Sequence, residues 1–214
     1  FPYTTLFRSL EYIFELIPQV LEGLKVTLEV FGLTLILSIP LGILIALMRT
    51  SKSLVLKNIS GAYVLVMRGT PLLLQIIFIY FGLSIIGIKF ERFPAGILAF
   101  TLNYGAYFGE IFRGGIISID KGQIEGAQVL GLSTKDIFFR ITLPQAFKRV
   151  ISPITNEITT LVKDTSLIYV LGLEEMLKIA KTAANRDVSL IPFLVVGIAY
   201  LIVIAVVSFI LKKV

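Results

Sequence analysis

The chain has 214 residues, 56% of them hydrophobic and 16% charged, with a mean hydropathy of +0.91 and a formal net charge of +6. This is the composition of a membrane protein, and its basic residues gather at the ends of apolar runs, where lipid headgroups account for them without nucleic acid. The absence of Cys and His excludes thiol chemistry, disulfides, Cys/His metal sites and imidazole catalysis, which leaves carboxylates, lysines and hydroxyls.

The first nine residues, "FPYTTLFRS", read as the translation of a sequencing adapter and are set aside, so a single membrane domain is expected over 10–214. A spanning helix needs about 20 mostly apolar residues. The first such run is 26–48, with Pro40 inside it and Arg49, Lys52 and Lys57 beyond it. The second, 69–88, is entered through "MRGTP" and closed by "KFERFP". Pro94 sits at the start of the third, 95–112, where its missing N–H is harmless. A polar segment, 120–148, follows. The fourth run, 151–170, carries Asn156, Glu157, Lys163 and Asp164 yet suits a helix buried in a bundle, and the fifth, 190–211, stops at Lys212 and Lys213. The expected fold is all-α, a polytopic bundle of about five transmembrane helices. With the amino terminus outside and the carboxyl terminus cytoplasmic, most Lys and Arg fall inside, among them Arg68, Lys121, Lys135, Arg140, Lys148 and Arg149.

The polar segment then lies in the cytoplasm and reads as two short helices. The first, 123–130, ends at Gly131, a residue suited to a helix C-terminus. Ser133 caps the second, with Asp136 three residues on; Ile137, Phe138 and Ile141 share one side, which can face a docked partner, lipid or the chain's own bundle, and Pro144 shortly follows the helix end. Such a rigid amphipathic elbow transmits force to something docked on it; an interfacial helix lying on the headgroups is the alternative.

Ionisable residues inside a membrane are expensive and mark a pathway. At about 100° per residue, Asn156, Glu157, Thr160, Lys163 and Asp164 occupy an arc of about 120°, which is expected to face the bundle interior, with Ile158, Leu161 and Val162 outside it. Asn103, Tyr107 and Glu110 form a second stripe, and Gly105 with Gly109 allows close helix packing. Glu157 is the candidate solute ligand, since a buried carboxylate without a fixed cation favours a positively charged partner; an ion pair with another helix is the structural alternative. Asn156, Thr160, Asp164, Asn103 and Tyr107 complete the candidate set. Glu110 and Arg113 are expected to pair locally, and Arg68 to snorkel at the membrane boundary.

"EGAQVLGLSTKDIFFRITLP", 125–144, resembles the EAA loop of permease subunits of ATP-binding-cassette (ABC) importers. Glu125, Ala127, Gly131, Ile141, Leu143 and Pro144 fall on that pattern, and Gly126 departs from it, standing where the family usually has alanine. "RGTPLL" (68–73), "AYFGEIFRGGI" (106–116), "KGQIEGAQ" (121–128) and "KDTSL" (163–167) are similar to the polar amino acid branch. The resemblance, running from about Leu16 to the end, implies the type I importer permease fold in a prokaryotic inner membrane. It further implies a homodimer or heterodimer of permease subunits around one path, and an extracytoplasmic solute-binding protein. Separate ATPase subunits, which use ATP and Mg, would grip an elbow made by Glu125, Gly126, Ala127, Gly131, Ile137, Phe138, Ile141, Leu143 and Pro144. No cofactor or metal is expected on this chain, which has no G-x-x-x-x-G-K-[ST] phosphate loop and is expected not to be an enzyme. The solutes expected are polar amino acids, with arginine, lysine and histidine favoured through Glu157. The alternative from another class is an ion-gradient-driven transporter or channel whose intramembrane acids bind protons or sodium. A scaffold leaves the polar stripes unexplained, and a membrane enzyme lacks a nucleophile and base at workable spacing.

Overall fold

The structure is a computed structural model describing residues 2–213, with side chains from Glu11 onward, and the described residues are mostly helical, joined by short turns, with no strand among them. The adapter-like stretch 1–9 lies outside the described side chains. Eight helices follow in order: α1 (Pro2–Thr50), α2 (Leu54–Gly69), α3 (Leu72–Ile77, extended by a π turn at Phe78–Gly82 and by Leu83–Ile85), α4 (Arg92–Ile117) and α5 (Lys121–Val129). Next comes α6, made of Thr134–Asp136, a π turn at Ile137–Thr142 and Leu143–Asp164 without interruption, then a 3-10 stretch at Thr165–Leu171, α7 (Met176–Asp187) and α8 (Ile191–Leu211).

Three of these helices depart from the apolar runs. α1 extends well upstream of residue 26 because Leu16 and Val20, one turn apart, are both buried. α2 occupies residues read as a connection. Its start is fixed by Ser53, whose side chain accepts from Leu56 N–H, and Thr70 ends it in an extended conformation (φ −121°, ψ 147°) imposed by Pro71. α7 is a helix where no span or helix was expected. Among the described residues, α1 from Glu11 and α8 are long and apolar enough to cross a membrane, and α2 with α3 forms a broken third candidate. α4 and α6 fall outside that measure because polar residues interrupt them: Asn103, Tyr107 and Glu110 in one, and the stretch from Asn156 to Asp164 in the other.

Two compact units share the chain. In the first (residues 1–35, 72–100 and 158–214), Val20, Met176, Ala180 and Val196 form a core that joins α1, α7 and α8. Glu175, fully buried, organises it: the carboxylate accepts from Leu177 N–H (2.7 Å) and Lys178 N–H (2.6 Å) at the start of α7, and from Tyr200 O–H of α8 (3.0 Å). Burial pushes this carboxyl above its ordinary pKa, against the pull of those three donors.

In the second unit (36–71 and 101–157), Ile45, Val64 and Ala106 join α1, α2 and α4. The α1–α4 contact has the close approach that the G-x-x-x-G spacing predicts. A Cβ on Gly105 would stand 2.6 Å from Leu41 Cδ2, one on Gly109 2.7 Å from Ile45 Cγ2, and one on Gly42 3.0 Å from Gly109 N.

Candidate functional site

The elbow begins at Asp120, whose Oδ1 accepts from Gly122 N–H (2.6 Å) to cap α5. α5 ends where Gly131 N–H reaches Gln128 O (2.9 Å) and Leu132 N–H reaches Ala127 O (3.1 Å), with Gly131 in the left-handed region at φ +79°. Ser133 Oγ then accepts from Asp136 N–H (3.1 Å), and Asp136 pairs with Arg140 at 3.2 Å. Side chains brace the joint. Gln145 Nε2 donates to Gln123 Oε1 (2.5 Å) across α5 and α6, and Arg149 donates to Ser118 O just past α4. The segment is therefore a hydrogen-bonded corner and not a loose loop.

Its second half differs from the reading of two short helices. Pro144 does not stop a helix; it lies inside α6, and the π turn at Ile137–Thr142 just ahead of it rearranges the carbonyls that its ring and missing N–H would disturb. Ile137, Phe138 and Ile141 share one side, as their spacing implies, with Ile137 buried and Phe138 half-buried against α1 and α4, while Val129 (88% exposed), Leu130 (81%) and Phe139 (62%) point outward. Ile141 is half-buried, Leu143 and Pro144 are exposed, Ala127 is buried, and Glu125, Gly126 and Gly131 are exposed. Among the described residues Glu125 takes no hydrogen bond from its own chain.

The polar arc is also placed otherwise than expected. Ile158, Leu161 and Val162 are the buried face of α6, at 8%, 0% and 1% exposure. Asn156 and Lys163 are exposed, and Glu157, Thr160 and Asp164 are half-buried. Within this chain the apolar side packs inward and the polar side remains accessible, because the hydrophobic contacts of one chain are met first by its branched apolar residues. Asn103 is buried and donates from Nδ2 to Met67 O (2.9 Å), and Arg68 lies 5.0 Å over the Tyr107 ring, so these two α4 residues gather around the end of α2. Glu110 is ion-paired: its carboxylate takes Arg113 Nη2 at 2.7 Å, as the local spacing suggests, and also Arg49 Nε of α1 at 3.0 Å.

A family model described as "Binding-protein-dependent transport system inner membrane component" matches residues 38–214. A protein of Rickettsia typhi named for glutamine transport as a permease protein, GlnP, is 36% identical over 208 residues, covering 95% of each chain. The arginine transport system permease protein ArtQ of Bacillus subtilis is 37% identical over 200 residues, covering 92% of this chain and 91% of that one. Among solved structures, the crystal structure of an amino acid ABC transporter with histidines superposes at a TM-score of 0.88 with 30% identity, covering 94% of this chain and 95% of that one.

Proposed function

The chain belongs to the family of binding-protein-dependent transport system inner membrane components, and from that premise we propose that it is the membrane-spanning subunit of an ATP-driven importer of polar, foremost basic, amino acids. The observation that carries the reading is the orientation of α6. A helix in a membrane whose accessible side bears Asn156, Glu157, Thr160, Lys163 and Asp164 cannot leave that side against lipid, where each charged group is costly. It needs a second permease subunit with a water-accessible path between the two. Five spans, with the amino terminus outside, put the elbow on the cytoplasmic side, where a separate ATPase subunit using ATP and Mg would hold it.

α6 supplies the coupling. One helix runs from the elbow to the polar arc, so a push at Phe139 is carried to Glu157 along about 27 Å of rod. Closure of two ATPases would move both rods and tip the path between inward-open and outward-open states, and a binding protein would deliver the solute on the other side. Glu157, with Asn156, Thr160, Asp164, Asn103 and Tyr107, would contact the solute, and the carboxylates give the path a preference for cationic side chains. Glu125, Gly126, Ala127, Gly131, Ile141, Leu143 and Pro144 shape the elbow, with Ile137 and Phe138 anchoring it to its own helices. Relatives named for arginine and for glutamine make the contest between a basic and a neutral solute the relevant test. ATPase activity of the copurified complex, measured with arginine, lysine, glutamine and glutamate, is expected to rise most with the basic pair; strongest stimulation by glutamine would overturn the cationic preference and leave the importer reading standing.

A further inference from the structure

Every amino acid carries a carboxylate as well as its ammonium group, and the acids proposed for the path, Glu157 and Asp164, repel it. Carboxylates alone would favour a diamine over arginine. Arg68, in the last turn of α2, is placed to answer the difference. Its position reads as snorkelling at the membrane boundary, but its guanidinium lies 5.0 Å over the ring of Tyr107, about 15 Å before the end of α4 at Ile117. That is about one to two turns deeper than the Glu110–Arg113 pair. The end of α2 is fixed there by two hydrogen bonds: Tyr63 O–H donates to Leu102 O, and Asn103 Nδ2 donates to Met67 O (2.9 Å). Arg68 is exposed, and among the described residues no carboxylate pairs with it.

A guanidinium stacked on a ring keeps its N–H groups in its own plane, where they can take both oxygens of a carboxylate. α6 brings Glu157 to the same level. Its Val150 packs on Gly115, and its Ile154 shares an apolar wall with Phe112. α6 therefore runs antiparallel to α4, and about one further turn sets Glu157 level with Phe108, the neighbour of Tyr107 in sequence. On the reading that the transported solute is an amino acid, we propose that Arg68 binds the solute's carboxylate, with Tyr107 holding the guanidinium flat and Glu157 taking the cationic side chain. Arg68 then selects amino acids as a class, and Glu157 selects among them.

Agmatine is arginine without its carboxylate and carries one more net positive charge, so acids alone would bind it better than arginine. Equilibrium binding of radiolabelled arginine and agmatine to the copurified permease–ATPase complex, without binding protein, separates the two cases. The parent complex should bind arginine about tenfold or more tightly than agmatine, the worth of a charge-assisted pair. Arg68→Gln should weaken arginine about tenfold or more and leave agmatine within about two-fold. Arg68→Lys keeps the charge and loses the planar fork; its arginine-to-agmatine ratio should fall while its agmatine affinity holds, which tests the same point should the neutral variant not assemble. Lys163, the exposed cation on the polar side of α6 itself, is the control, and Lys163→Gln should leave the ratio unchanged. A parent complex that prefers agmatine, a ratio unmoved in both Arg68 variants, or a preference lost in Lys163→Gln instead would overturn the proposal and leave the importer reading standing. A complex that binds neither arginine nor lysine nor glutamine would overturn both.

Discussion

Gly126 is the residue at which the elbow departs from its Glu-Ala-Ala pattern, and the structure leaves room for the missing methyl: a Cβ there meets nothing within 4 Å, in the interior of α5. Gly126→Ala should therefore stabilise α5 by about 0.5–1 kcal/mol through reduced backbone entropy in the unfolded chain. Slower amide exchange across 121–129 is the readout, and faster exchange would contradict it. Glu175 makes the opposite case. Replacing it with Ala leaves two helix N–H groups and the Tyr200 hydroxyl without their shared acceptor, at an expected cost of about 1–3 kcal/mol. The thermal midpoint of the purified chain should fall, and an unchanged midpoint would remove Glu175 as the organiser of its core. The sequence hides this residue among ordinary surface-like charges, because only the approach of α8 identifies it as a buried cap.

At the scale of elements, the corner of α5 and α6 was largely legible: Gly131 has the positive φ and Ser133 the capping bond that their residue types imply. So was the side that Ile137, Phe138 and Ile141 share, which packs on the chain's own helices while Phe139 is left outside; the continuation of that helix through Pro144 was not, because a π turn just ahead of the proline accommodates a ring that usually ends a helix. α2 was missed because Lys57 and Asn58 disguise a helix whose boundaries rest on Ser53 and Pro71, and α7 because its short polar sequence has no membrane-length apolar run. The joint itself can be tested. Gly131→Glu forces a bulky residue into the left-handed region, at about 1–2 kcal/mol, with space for the side chain but not for the backbone angle. The assembled complex should keep basal ATP hydrolysis and lose most solute uptake; full uptake would show that the corner need not be rigid.

At the scale of the whole molecule, the fold class and membrane character were readable from composition, apolar runs and four short motifs, whereas the direction of the polar arc was not. Amphipathic spacing reports that α6 has two faces; it does not report which one a single chain buries. The buried Ile158, Leu161 and Val162 leave the polar face at least partly exposed, and the proposed function assigns that face to a path shared with a second subunit. Glu157→Gln keeps the shape of that face and removes its charge. Arginine uptake should fall by tenfold or more, about 1.4 kcal/mol of lost interaction, with glutamine uptake less affected. Equal loss for both solutes would make Glu157 a structural residue.

The central claim is that this chain moves solute by borrowing the energy of a separate ATPase. Radiolabelled arginine uptake into vesicles carrying the purified complex and binding protein, with ATP supplied only to the ATPase side and ion gradients collapsed, tests it most directly. Uptake that requires ATP and survives the loss of gradients is the predicted result; uptake that persists without ATP and vanishes with the proton or sodium gradient would contradict it.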